Sequence, residues 1–278
     1  MSIRIVTVSA CDLPEQVANS HGIRIVPLSI RFGDEELIDR EELSTSEFWA
    51  RCAQQTTLPE TAAPAPGQFE AVYRELAADG ATGIVVISLS GAMSATMQSA
   101  ELAARSIADE IPVRVVDSRS VTMGLGTIVL ASARRAAEGA SLEEVEAFAT
   151  DRAARTRVFG ALDTLENLKK GGRIGNAKAL LATALAIKPI IEVIDGQVEQ
   201  GGKQRTRSKA LKFLVEKVRE YEGQISDLAV LHADCSDVDQ FVEMVRSVHD
   251  GEIVVGEIGP VVGTHAGRGT IGVAFDIT

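Results

Sequence analysis

His265 stands inside GPVVGTHAGRG, Gly259 to Gly269, a glycine-rich run near the C-terminus. Glycines at this density permit positive φ and the close approach of a ligand or a second backbone. A valine-rich run, Glu252 to Ile258, precedes the segment, and an apolar run, Ile271 to Phe275, follows it. The pattern reads as strand–turn–strand with one titratable group at the tip. Such loops gather binding residues, although a tight hairpin whose histidine bonds its own backbone has the same signature. Thr61 in TAAPAPGQF places a hydroxyl on a loop stiffened by Pro64 and Pro66. Ser94 in SLSGAMSATMQSA sits between a strand and a helix, where it can cap the helix or meet an anion. Gly124 and Gly126 in DSRSVTMGLG allow close backbone approach. Arg173 in GGRIG and Arg207 in RTRSKAL offer guanidinium forks for a carboxylate or phosphate, or simple solvated charges.

Other chemistries lack their motifs. The residues around Ser94 do not form G-x-S-x-G, DSRSVTMGLG is not G-x-G-x-x-G, and no Walker A sequence is present. His21, His232, His249 and His265 form neither HExxH nor a close pair, so no metal is expected. Cys11, Cys52 and Cys235 are far apart and odd in number, which points to reduced cytoplasmic thiols. A net charge of −11 repels nucleic acid. No apolar run approaches the ~18 residues of a membrane span, and the N-terminus shows no signal-type segment. The expectation is a cytoplasmic chain without integral membrane association and without a cofactor.

The elements that must hold these residues alternate between short β-rich runs and amphipathic stretches. Strands are expected at Ile3–Val8, Ile23–Phe32, Ile84–Leu89 and Val113–Asp117. Helices are expected at Gly67–Ala78, Met97–Ala108, Thr127–Glu138 and Ser141–Thr156, the last opened by a Ser141/Glu144 capping box. Composition then resets. A strand at Val158–Leu162, a polar turn at Leu165–Gly175 and a helix at Ala177–Ala186 follow. Next come a strand at Ile187–Ile194 with an Asp195-Gly196 hairpin turn, and a helix at Thr206–Tyr221. Strands at Asp227–His232 and Glu252–Ile258 flank a helix at Asp237–Val248. The fold class is therefore α/β, in two α/β domains, residues 1–155 and 156–278. The first is built around a mainly parallel sheet, with the ligand site between the two.

Taken together, these segments resemble the DegV family of bacterial fatty-acid-binding proteins. IVTVSACDLP, the Thr61 segment, the Ser94 segment, DSRSVTMGLG, LENLKKGGRIG, IKPII, RTRSKAL and GPVVGTHAGRG occur in the family's order over nearly the whole chain. The resemblance implies a non-enzymatic carrier of a long-chain fatty acid, with the acyl chain in an apolar tunnel. It implies that the carboxylate is presented to a separate fatty acid kinase. Thr61 and Ser94 would bond the carboxylate. Arg173, Arg207 and His265 would surround it, with Thr264 and Gly124 completing the fatty-acid-binding set. Val8 stands where the family commonly has aspartate, Ala62 and Ala63 replace a Ser–Gln pair, Ala95 and Met97 replace glycine and tyrosine, and Arg268 replaces proline. A small-molecule enzyme, or a sensor of anions or phosphosugars, remains the alternative on the same scaffold.

Overall fold

The computed structural model describes residues 2–55 and 57–278, and for residues 182–186 the backbone alone. In chain order the elements are β1 (Ile3–Val8), α1 (Glu15–Ser20), β2 (Arg24–Val26), β3 (Ser29–Phe32), β4 (Glu35–Ile38), α2 (Thr45–Gln54), β5 (Glu60–Ala62), α3 (Pro66–Ala78), β6 (Gly83–Ser88), α4 (Thr96–Ser106), β7 (Val113–Asp117), α5 (Met123–Ala137) and α6 (Leu142–Arg155). They continue with β8 (Thr156–Ala161), α7 (Glu166–Lys170), a 3₁₀ segment (Gly175–Ala186), β9 (Lys188–Ile194), β10 (Gln197–Gln204), α8 (Arg207–Arg219), β11 (Ile225–His232), α9 (Val238–Arg246), β12 (Ile253–Glu257), α10 (Pro260–Ala266) and β13 (Ile271–Ile277).

Three sheets result. The first is parallel, in the order β2-β1-β6-β7. Its β6 strand, Gly-Ile-Val-Val-Ile-Ser, is buried at every position, as a strand covered on both faces must be. The second is mixed, in the order β10-β9-β8-β13-β11-β12, and begins at Thr156, directly after α6. A small antiparallel sheet, β4-β3-β5, flanks them.

Helix α5 joins the two large sheets. It touches β1 and β6 on one side and β8, β11 and β13 on the other. Its sequence is apolar or small almost all round, so most of it is buried. Gly124 makes this packing possible. A Cβ there would lie 2.3 Å from both Val158 Cγ2 and Ser120 Oγ. The close approach expected of Gly124 is therefore an approach of protein to protein. One hydrophobic cluster runs from Val6 and Ile87 of the first sheet through Ile128 to Val158 and Ala274 of the second. Arg152 Nη1 donates to Asp276 Oδ2 at 2.6 Å and fastens α6 to β13.

Local signals hold in most places. Ser141 and Glu144 form the reciprocal capping box. Asp195 and Gly196 both take positive φ, 49° and 77°, as a two-residue type I′ hairpin requires. Three expectations change. The run Ile23–Phe32 is two strands in two different sheets, because Pro27 lacks the N–H needed to continue the ladder. Residues 165–175 are not only a turn but contain α7, which closes at Gly171 and Gly172. The 259–269 segment is strand–helix–strand. Gly259 caps α10, Pro260 occupies its first turn, and Gly267 at φ 81° ends it.

Candidate ligand site at the histidine helix

Helix α10 places His265 in its last turn, turned inward rather than at an exposed tip. Gly263 lets the helix settle on α2. A Cβ there would lie 2.8 Å from Trp49 Cη2 and 2.9 Å from Phe48 Cε1. On the other side, Gly171 makes room for the imidazole, since a Cβ at that position would lie 2.2 Å from His265 Nδ1. Thr61 is not on a free loop. It lies on β5, paired with Ile30 of β3, and its Oγ1 is 3.2 Å from His265 Nε2.

Burial pushes the His265 pKa down to about 4, and the positive charge of Arg173 pushes the same way. The imidazole is therefore neutral at pH 7, with one nitrogen able to donate and the other to accept. Its Nδ1 is buried without a hydrogen-bond partner. Arg173 is exposed. Its Nε donates to the Met93 carbonyl at 3.2 Å and its Nη1 to the Gly171 carbonyl at 2.7 Å. Among the described residues no carboxylate pairs with it. Ser94 Oγ lies 2.8 Å from Thr96 Oγ1 and accepts the Thr96 N–H at 3.3 Å, so it both supports the start of α4 and faces the cavity.

Thr61, Ser94, Arg173 and His265 line one cavity of about 90 Å³. The rest of its wall is apolar, including Leu89, Met93, Val121, Leu168, Ile191 and Val261. The β9–β10 hairpin, which supplies Ile191, is keyed to the first half of the chain: Ser90 Oγ donates to the Gly196 carbonyl at 2.7 Å. The wall thus draws on both large sheets and on the small one. Polar donors and aliphatic side chains lining one cavity suit an anionic head with an apolar tail.

Three expected residues lie elsewhere. Arg207 grips Asp237, with Nε–Oδ2 and Nη2–Oδ1 both 2.9 Å, and lines a separate polar pocket with Lys188 and Arg268. Thr264 is buried. Its hydroxyl donates to the Pro260 carbonyl at 2.9 Å, and its own carbonyl accepts from Asn167 Nδ2 at 3.2 Å. Gly124 is in the α5 packing described above. Two positions that matter were not singled out. Gly171 had a signal in the paired glycines after LKK. Asp12 accepts the Gly259 N–H at 3.0 Å and so anchors the start of α10, and no local pattern marks that contact.

The fold and cavity define an α/β protein of two joined sheets with a small amphiphilic pocket beside the join. The sequence profile of the DegV family, described as "Uncharacterised protein, DegV family", matches residues 2–278. The chain belongs to the DegV family. A DegV domain-containing protein of Streptomyces coelicolor is 38% identical over 277 residues, covering 98% of this chain and 97% of that one. The solved structure "Fatty Acid Binding of a DegV family Protein from Thermus thermophilus" superposes with a TM-score of 0.91 at 34% identity, covering 100% of both chains. That of "DegV, a fatty acid binding protein from Bacillus subtilis" gives a TM-score of 0.90 at 28% identity, again covering 100% of both chains.

Proposed function

We propose that this chain binds a long-chain fatty acid. Its carboxylate would be held by the hydroxyls of Thr61 and Ser94 and surrounded by His265 and Arg173. The observation that carries this reading is the pairing of those four groups with an aliphatic wall in one cavity. The Thermus thermophilus and Bacillus subtilis relatives, described as fatty acid binding, support it. The physics agrees: each buried methylene contributes about 0.8 kcal/mol, and the carboxylate needs donors to offset its desolvation.

The present cavity, about 90 Å³, is smaller than the several hundred Å³ typical of small-molecule sites. The acyl chain must therefore part its walls, and the unbranched Met93 is the side chain best able to move. In this reading, residues 1–155 and 156–278 act as two domains with the head group held between them. The carrier works in the cytoplasm and presents the carboxylate to a separate fatty acid kinase, with exposed Arg173 at the opening. It performs no catalysis itself. Among the described residues no helix is long and apolar enough to cross a membrane, and no group of acidic, histidine or cysteine side chains could hold a metal. Native mass spectrometry of protein purified from lipid-replete cells without delipidation tests the reading. A bound acyl mass is expected; apo protein alone would overturn it.

A further inference from the structure

A second and larger cavity, about 840 Å³, shares no lining residue with the first. It lies between α1, β2, the loop before α2 and the ends of β11 and β12. Five carboxylates line it: Asp12, Glu15, Asp39, Glu41 and Glu257. None of them forms an ion pair among the described residues, in a chain whose surface is otherwise rich in such pairs.

The two innermost are unusual. Asp39 is 1% exposed; the Ser9 hydroxyl and the Arg40 N–H lie beside it, but neither carboxylate oxygen makes a well-aligned hydrogen bond. Asp12 is 2% exposed, with Oδ1 accepting the Gly259 N–H and the Thr122 hydroxyl beside the carboxyl, and Oδ2 makes no well-aligned hydrogen bond. Buried carboxylates left unpaired are costly, so such groups beside a cavity point to a ligand that meets them.

The positive groups in the lining form no ion pair with them, although Arg40 lies near enough to favour the charged form of both Asp12 and Asp39. Arg24 is held outward by Glu75, at 2.7 and 2.8 Å. Arg40 donates to the backbone carbonyls of Leu13 and Ser9, at 3.0 and 3.4 Å. Burial lowers the pKa of His232, which leaves it without charge at neutral pH. The carboxylates do not converge on one point either, so a single metal ion does not fit. Between them stand Leu13, Ile23, Ile25 and Val255. Burial holds Asp12 and Asp39 toward the protonated form, and an approaching cation would favour their ionisation. Carboxyl groups spaced along aliphatic surface in this way match a chain of methylenes carrying several ammonium groups. The volume is that of a small-molecule site rather than a broad docking face.

We infer that this cleft binds an aliphatic polyamine. Asp39 meets one ammonium at the floor, and Glu41 and Glu257 meet others at the rim. The net charge of −11 draws such cations in.

Spermine is the probe, titrated calorimetrically into the full chain at low ionic strength. One saturable site is expected. Glu41→Gln combined with Glu257→Gln, both exposed and safe for folding, should weaken it at least tenfold, as should Asp39→Asn where that variant folds. Asp34→Asn combined with Glu36→Gln, acidic residues outside the cleft, should leave it unchanged. Fatty acid affinity should be the same in every variant. Heats that never saturate, or equal affinity in the Glu41/Glu257 variant, would overturn the site. A lysine-rich peptide that binds the same carboxylates more tightly than spermine would overturn the ligand class.

Discussion

Gly171 and His265 are fitted to each other: the glycine's missing Cβ would stand 2.2 Å from the imidazole Nδ1. The backbone at Gly171, with φ −75° and ψ −5°, is one that any residue adopts. Glycine is needed there for space, not for conformation. The space lets His265 reach Thr61, whose hydroxyl lies 3.2 Å from Nε2.

Gly171→Ala should therefore act through sterics alone. The methyl forces the ring away from Thr61 or shifts α7, with an overpacking cost of about 1–3 kcal/mol. Fatty acid affinity should fall by about tenfold, equal to about 1.4 kcal/mol. Titration with a fluorescent fatty acid checks it. An unchanged affinity would detach the histidine from the head-group site.

Ser94→Ala should weaken fatty acid binding by roughly 1.5–3 kcal/mol, the value of a hydrogen bond to a charged group. The fold should survive, because the hydroxyl's other partners are the neighbouring Thr96 side chain and N–H. The check is paired: affinity and melting temperature for wild type and variant. Equal affinity at equal melting temperature removes Ser94 from the site.

Arg207→Ala separates two readings of that residue. The family resemblance places it in the head-group network; the structure gives its guanidinium to Asp237 and the Gly269 carbonyl. We expect fatty acid affinity to stay within about twofold, and stability to fall by about 1 kcal/mol for this partly exposed pair. A large loss of affinity with little loss of stability would favour the resemblance.

His265 and Asp12 should pull the pH dependence of stability in opposite directions. The His265 pKa is lowered to about 4 by burial and then by Arg173. Between about 4 and the ordinary 6.5, the unfolded chain binds a proton that the folded chain does not, so stability rises with pH. The Asp12 pKa is raised to about 7, chiefly by burial. Between about 4 and 7 the folded chain holds the extra proton, so stability falls as pH rises. The two slopes oppose each other in wild type. His265→Gln should expose the falling limb, and Asp12→Asn, which keeps an acceptor for Gly259, the rising one. Urea unfolding from pH 4 to 7.5 reads both. Parallel profiles in the two variants would refute the assignment.

Acyl phosphate should not form when the protein is incubated with fatty acid, magnesium and ATP alone, and should form once a fatty acid kinase is added. EDTA should leave fatty acid binding intact. Turnover by the isolated chain would reverse the reading of a carrier.

Much of this protein was legible before folding. Alternating apolar runs predicted the strands and helices, because a buried face needs its own period. The Ser141/Glu144 cap and the Asp195-Gly196 turn are complete within a few residues, so their geometry is local. The ordered motifs carried the family. What the tertiary structure alone decided are the partnerships. Thr61 and His265 are 204 positions apart and meet only because β5 and α10 pack on the same neighbours. Arg207 could bond a ligand or a protein carboxylate, and the fold of α8 against α9 supplied Asp237 first. Gly124 could admit a ligand or a sheet, and the sheet arrived. A residue's type limits what it can bond; which group comes within 3 Å of it is set by long-range packing, which no local pattern contains.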